Sequence, residues 1–556
     1  MRVYTTLLVT AFITWTTSPA RAHALSMETV DRHQAIDALM ASWDGQNTPG
    51  CVIGVSRDGD IDHVRGYGMS NLEYDVPITP QSVFHVASIS KQFTAFSIGL
   101  LARDGKMSIN DDIRKFLPEM ANIGQRITIA NLIHHTDGLR EQGQLLNLAG
   151  WRGDDLYTQD DVLWALARQR SLNFEPGTEI VYGNAAYTLL AVIVQRVSGQ
   201  SLRAFTNARI FQPLGMADSH FRDDHTEITR GRTAGYVARS GGGWSIGVPN
   251  IDHYGSTGLL TTVGDLLKWE QNLIDGRIGG KALVDWMRTS GALSDGTNIG
   301  YGAGLRLGKY RGLRIVSHDG ADGGYRAEAA LFPDQKLAVV ALCNGATIEP
   351  TGLTRRVAEI YLGDRMGSPT LAPAVATPAA QQSALAGTYW SARTDEIVRL
   401  EWKDGALRQM GSATALVPIG DGVYRPGDLA HEWRFVMPAA GAAAGSEPEL
   451  HIRDFWPTQR AFVRVSLPLP SASDLQGLSG YYRSEETDMT YAVDVTNGGL
   501  LLTWPRGYAV ALDAIGGDRF IGSQGTVTFT RRPSGEVDGL TISNRRLRRF
   551  RADRRT

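Results

Sequence analysis

Apolar positions along this chain follow two periods. Up to residue 362 they recur mostly three and four apart, in stretches of helical length, with strand-like alternation near both ends of that part. Residues 27–43 have helical spacing. Residues 50–68 alternate on either side of Asp58-Gly59, which predicts a hairpin. Helices are predicted over 127–133, 156–169, 187–197, 204–211 and 264–274, and a short one after the Asp-Asp pair at 111–112. Residues 313–343 read as three strands, and 352–362 as a closing helix. A strand pair, many helices and then three strands predict an α+β layer, with one antiparallel sheet closed from both ends of this part.

Beyond residue 384 the period changes to two. The change follows an Ala- and Pro-rich stretch, 371–384, with the composition of a linker. LAGTY at 385–389 and LSGYY at 478–482 each open about 80 to 90 residues of short alternating strands with Gly and Asp turns. They read as two copies of one small all-β barrel or sandwich, over 385–467 and 475–556, separated by PLPSASD. Residues 439–448 form a low-complexity loop in the first copy. Trp390, Trp402, Trp433 and Trp456 are expected as core or strand-face aromatics.

At 556 residues the chain needs several cores. Its net charge of −2 implies no general attraction to nucleic acid or anionic lipid. The basic cluster at 545–555 is expected as a charged last strand and frayed tail. Residues 1–24 carry Arg2, an apolar centre and small-x-small sites ending at Ala22 and Ala24. They read as an export signal, so a periplasmic or secreted protein with no membrane span is expected. Cys51 and Cys343, both in strand-like runs, are expected as buried small hydrophobes, although an oxidising compartment would permit a disulfide. The 12 histidines show no zinc spacing, and neither a metal nor a cofactor is expected.

Three separated pieces carry one chemistry. Ser88 and Lys91 lie three apart and share a face at a helix start, before the apolar Phe93, Phe96, Ile98, Leu100 and Leu101. A lysine so placed loses hydration, its ammonium is disfavoured, and it can take the serine proton. S-x-x-K alone is a weak signal. The second piece is Tyr182-Gly183-Asn184. A phenol near an ammonium is expected to have a lowered pKa and to shuttle protons, and the Asn184 amide to serve the substrate backbone and Lys91. The third is His318-Asp319-Gly320 at a strand end. There His318 would present its imidazole to the pocket and Gly320 would let an edge strand approach a substrate. The oxyanion hole would combine the Ser88 amide with one from that strand, for which Tyr325 is the preferred residue.

SISK at 88–91, YGN at 182–184 and HDG at 318–320, with LIHHTDGL at 132–139 and GSTGLLTTVGDLLKW at 255–269, resemble the serine β-lactamase and penicillin-binding-protein family over about residues 30 to 365. The resemblance implies that Ser88 is acylated, that Lys91 and Tyr182 handle protons, and that the His318 motif lines the substrate strand. Many relatives carry lysine where this chain has His318, which weighs against classical β-lactamase action. The plan of a catalytic domain over 25–370 followed by two β-barrels is similar to bacterial D-stereospecific aminopeptidases. In those enzymes a loop of the last domain reaches the active site, and 504–516 is the corresponding expectation here. The resemblance implies a serine hydrolase for small peptides or amides containing D-residues, with cell-wall peptides among the candidates. The alternatives are an esterase or β-lactamase of the same family, or an envelope binding protein.

Overall fold

A computed structural model describes residues 31–368, 371–427, 429, 431–438 and 447–555. The expected export signal, and the low-complexity loop apart from its last residues, lie outside the described residues.

The N-terminal part is built on a six-stranded antiparallel sheet. Its strands are β1 (Cys51–Arg57), β2 (Asp60–Tyr67), β3 (Arg306–Tyr310), β4 (Leu313–Asp322), β5 (Tyr325–Phe332) and β6 (Leu337–Cys343). Their order is β3-β4-β5-β6-β1-β2, so both ends of this part do meet in one sheet. Asp58 and Gly59 turn the first hairpin with φ of 54° and 96°, the left-handed pair that matches strand twist. One strand was missed. The polar, half-exposed β3 pairs with residues 313–317 at the sheet edge, where no apolar alternation is needed.

Helix α1 (Ser90–Arg103), α2 (Ala185–Ser198) and α3 (Val263–Asp275) pack on one face. Gly54 of β1 admits α3 closely: a Cβ there would sit 2.5 Å from Val263. The helix over 31–40 and α4 (Pro350–Leu362) cover the opposite face through Ile36, Met40, Leu353 and Val357. On that face Cys51 and Cys343 are register partners and form a disulfide, which corrects the expectation of two unpaired cysteines. The pairing of β1 with β6 spans 292 residues and leaves no local sign.

The C-terminal part holds two eight-stranded β units. The first nearly closes, its edge strands meeting at Arg408 and Ala415, and the second is a closed barrel. The two units are alike in one detail. The Tyr389 hydroxyl donates to the Leu385 carbonyl at 2.9 Å, and Tyr482 does the same to Leu478 at 2.6 Å. The second barrel shares an apolar core with the helical layer. Arg140, buried in the N-terminal part, pairs with the buried Glu486 of that barrel at 2.7 Å. Among the described residues no helix is long and apolar enough to cross a membrane.

Candidate active site

Ser88 lies in a 3-10 turn, Ala87–Ile89, that leads directly into α1. The turn is strained at Ala87, where φ is 46°. It is held from both sides. The Val86 amide donates to the Leu259 carbonyl, and the Leu259 amide donates to Ser90 Oγ at 3.0 Å. Across the turn lies Gly320, whose Cβ, if present, would be 2.2 Å from the Val86 carbonyl oxygen. The close approach at Gly320 is therefore to the serine turn and not, as expected, to a substrate.

Lys91 is fully buried. Its Nζ lies 3.1 Å from Ser88 Oγ, 2.8 Å from Asn184 Oδ1 and 2.8 Å from the Ser256 carbonyl oxygen. Burial pulls its pKa down to about 7, against an opposing pull from Glu141. A neutral amine has two N–H donors and one lone pair. Asn184 Oδ1 and the Ser256 carbonyl can only accept, so they take the donors, and the lone pair is left for the Ser88 hydroxyl. Asn184 is placed at the start of α2, where its amide donates to Glu141 Oε2 at 2.8 Å.

Tyr182 lines the cleft beside Ser88, and its ring centroid is 4.9 Å from Lys91 Nζ. Its pKa is raised, not lowered as expected. Burial of the phenol is the largest effect and outweighs the stabilisation of the phenolate by its surroundings. Beneath its ring lies His135, fully buried at 4.5 Å between centroids and at a φ of 56°.

The third piece needs two corrections. His318 is fully buried: Nδ1 donates to the Asp319 carbonyl at 2.6 Å, and Nε2 accepts from the Tyr301 hydroxyl at 3.1 Å. It packs behind Tyr182 and stays out of the cleft, and burial lowers its pKa. Asp319 and Ala321, on the opposite strand parity, line the cleft with Ser88. Burial opposes ionisation of Asp319, but Arg306 at 2.8 Å holds its carboxyl below the usual range. Tyr325 is also misplaced. It sits across the hairpin from Asp322, and its hydroxyl is tied to the Thr233 carbonyl.

The free strand donor is set by register. β3 pairs with β4 only as far as Ser317, while Asp322 opposes Tyr325 across a two-residue turn. Alternate residues of an antiparallel strand turn their amides to alternate neighbours. Asp319 and Ala321 share the phase of Ser317, so their amides face the edge that β3 leaves open. Ala321 is the one that also borders both cavities at Ser88.

Those cavities lie on two sides of the serine. The larger, about 320 Å³, is lined by Tyr182, Arg306 and Asp319 and roofed by Trp456 of the first β unit and Arg545 and Arg546 of the second. The smaller, about 140 Å³, contains Glu141, Tyr157, His253 and Asp322. Trp456 is buried as expected, in a small apolar cluster with Ile180, Ile299 and Tyr301, and from there it stacks on Tyr182 at 6.3 Å. The 504–516 segment does not reach the site. Trp504 donates to the Asn147 carbonyl, and Arg506 pairs with Asp155. The roof comes instead from the turn before the last strand, inside the basic cluster. Nothing local marked Glu141, Trp456 or Arg546 as site residues, and only the charge of the cluster hinted at the last. Among the described residues no group of three or more His, Cys, Asp or Glu side chains could hold a metal.

Residues 33–364 match the family model described as Beta-lactamase. The chain belongs to the beta-lactamase family. Among its relatives are a D-aminopeptidase of Gluconobacter oxydans, 26% identical over 469 residues (84% of this chain and 85% of the relative), and one of Brucella anthropi, 28% identical over 299 residues (53% and 56%). Two solved structures share the beta-lactamase fold. The D-amino acid amidase of Ochrobactrum anthropi SV3 has a TM-score of 0.51 at 22% identity, over 60% of this chain and 99% of that one. The octameric penicillin-binding protein homologue of Pyrococcus abyssi has a TM-score of 0.54 at 21% identity, over 89% and 100%.

Proposed function

We propose that this chain is a serine hydrolase that cleaves the amide bond following a D-amino-acid residue in short peptides or amides, through an acyl-enzyme on Ser88. The observation that carries the reading is the bonding of Lys91: two pure acceptors leave its lone pair on the Ser88 hydroxyl. Neutral Lys91 takes that proton as Ser88 Oγ attacks the carbonyl carbon. The oxyanion is held by the Ser88 and Ala321 amides. Tyr182, a protonated phenol on the side of the larger cavity, gives a proton to the departing nitrogen and recovers one from Lys91. Water then attacks the ester, and the same groups run in reverse. The preference for D-residues is supported by the D-aminopeptidase relatives. The buried disulfide fits an oxidising compartment and so supports export, and periplasmic peptides of the cell wall are candidate substrates.

The test is incubation with D-alanine p-nitroanilide, its L-enantiomer and a fluorophosphonate. Hydrolysis selective for the D-form, with a mass adduct on Ser88 that disappears in Ser88→Ala, is expected. Equal turnover of both enantiomers would leave an amidase without D-preference, and an adduct elsewhere would remove Ser88 as nucleophile.

A further inference from the structure

The two cavities beside Ser88 carry opposite charge. Carboxylates of Glu141 and Asp322 border the smaller one, and three guanidinium groups with one carboxylate border the larger. Tyr182 lines the larger cavity only, so under the proposed mechanism, on which this inference rests, the leaving amine departs on the cationic side.

The three arginines are not equivalent. Arg306 is paired with Asp319 at 2.8 Å, and Arg545 is bonded to Asp454. The Arg546 guanidinium makes no hydrogen bond among the described residues. Its nearest carboxylate oxygen, Glu141 Oε2, is 4.0 Å away and already accepts from the Asn184 amide. Its backbone is nevertheless fixed. The Arg546 carbonyl accepts from the Glu141 amide at 3.1 Å and from Asn173 Nδ2 at 3.0 Å, and its own amide donates to Asn544 Oδ1 at 3.0 Å. The guanidinium is held 5.5 Å from the centroid of the Tyr182 ring, in the cavity that Ser88 also lines. A planar cation with its donor fork uncommitted, anchored beside the reacting atoms, matches a carboxylate.

We infer that Arg546, supplied by the second barrel, receives the α-carboxylate of the leaving residue. The favoured substrates are then zwitterionic di- and tripeptides headed by a D-residue. Their free ammonium lies toward Glu141 and Asp322, and their free acid lies on Arg546. The sizes agree. The smaller cavity takes a small aminoacyl group, and the larger has the volume of about ten waters, at ~30 Å³ each, enough for one or two leaving residues. Hydrolysis places the water oxygen on the D-residue's carbonyl carbon and a proton on the departing nitrogen, and the carboxylate on Arg546 is unchanged by the reaction.

The experiment compares kcat/KM for D-Ala-Gly, D-Ala-glycinamide and D-alaninamide in the full chain and in Arg546→Met, Arg546→Lys and Arg546→Glu. Wild type should prefer the acid to the glycinamide by about tenfold or more, the scale of one charge-assisted hydrogen bond. That ratio should collapse in Arg546→Met, fall part-way in Arg546→Lys, which keeps the charge without the fork, and invert in Arg546→Glu. A role confined to packing on Tyr182 would lower all three substrates together and leave the ratio intact, and that result overturns the inference. So does equal turnover of acid and glycinamide by wild type, a result that needs no variant to fold. If none of the three is hydrolysed and Ser88 takes no adduct, the hydrolase reading itself fails. Turnover without acid preference removes only the role of Arg546.

Discussion

The charge state of Lys91 should govern both rate and stability. Its ammonium is disfavoured by burial, which moves the pKa from 10.5 to about 7. At about 1.36 kcal/mol per pH unit, the folded protein bears a penalty of about 5 kcal/mol wherever this lysine is protonated. Only the neutral form can take the Ser88 proton. Acylation should therefore fall about tenfold for each pH unit below about 7 and level off above it. The assay is kcat/KM for p-nitrophenyl acetate, which has no titrating amine, from about pH 5 to about pH 9. The stability effect has the same origin and a definite sign. Unfolded lysine keeps its proton up to about 10.5, whereas the folded form releases it at about 7. Between those values the unfolded state binds more protons, so stability rises with pH by about 1.4 kcal/mol per unit from this group alone. Lys91→Met has no such slope. It also strands Asn184 Oδ1 and the Ser256 carbonyl, at about 1–3 kcal/mol each. Relative to wild type the variant should therefore lose about 2 kcal/mol between about pH 7 and about pH 9, read from thermal midpoints at both values. A rate profile flat down to about pH 5.5, with a variant-to-wild-type difference independent of pH, would refute the assignment of a depressed pKa.

Three further outcomes follow from how the chain is tied together. Replacing Cys51 and Cys343 by serine should cost about 2–5 kcal/mol in thermal unfolding while leaving turnover at room temperature unchanged, because the bond lies on the sheet face opposite α1 and closes a loop of nearly the whole catalytic part. Glu486→Gln leaves the Arg140 guanidinium buried without its counter-charge. It should destabilise by about 3–5 kcal/mol and detach the roof, seen as increased proteolysis between residues 465 and 480. Cutting the chain after residue 371 should likewise yield an aggregating fragment and not a trimmed enzyme, since the second barrel completes the core over the helices; a soluble, active fragment would contradict this.

What could be read from the sequence divides along sequence separation. Ser88 and Lys91 are three residues apart on one helical turn, and Tyr182 and Asn184 flank a helix start, so local spacing was enough to nominate them. Bringing these pieces together, however, takes contacts such as Lys91 with Asn184 and Ser256, 93 and 165 residues apart, which no periodicity reports. Strand parity is similarly silent. HDGA offers two faces, and only the packing of β4 under the serine turn decides that His318 and Gly320 point inward while Asp319 and Ala321 border the cleft. The sign of the Tyr182 shift was missed for an energetic reason. The argument from a neighbouring charge left out the burial of the phenol itself, which is the larger effect, and the same burial also disfavours the lysine's ammonium.

The roof and the base form one electrostatic unit. Glu141 favours the Lys91 ammonium and Arg546 opposes it, and these two side chains lie 4.0 Å apart. The substrate ammonium toward Glu141 is common to D-Ala-Gly and D-Ala-glycinamide, so the two complexes differ in the carboxylate on Arg546, which cancels the repulsion that this arginine exerts on Lys91. Lys91 should then hold its proton to higher pH in the complex with the acid than in the complex with the glycinamide. The rising limb of kcat, which reports the complex, should therefore lie at higher pH for D-Ala-Gly than for D-Ala-glycinamide. The limbs of kcat/KM, which report the free enzyme, should coincide for the two. Coincident kcat limbs would mean that the arginine from the second barrel and the lysine beneath Ser88 act without reference to each other.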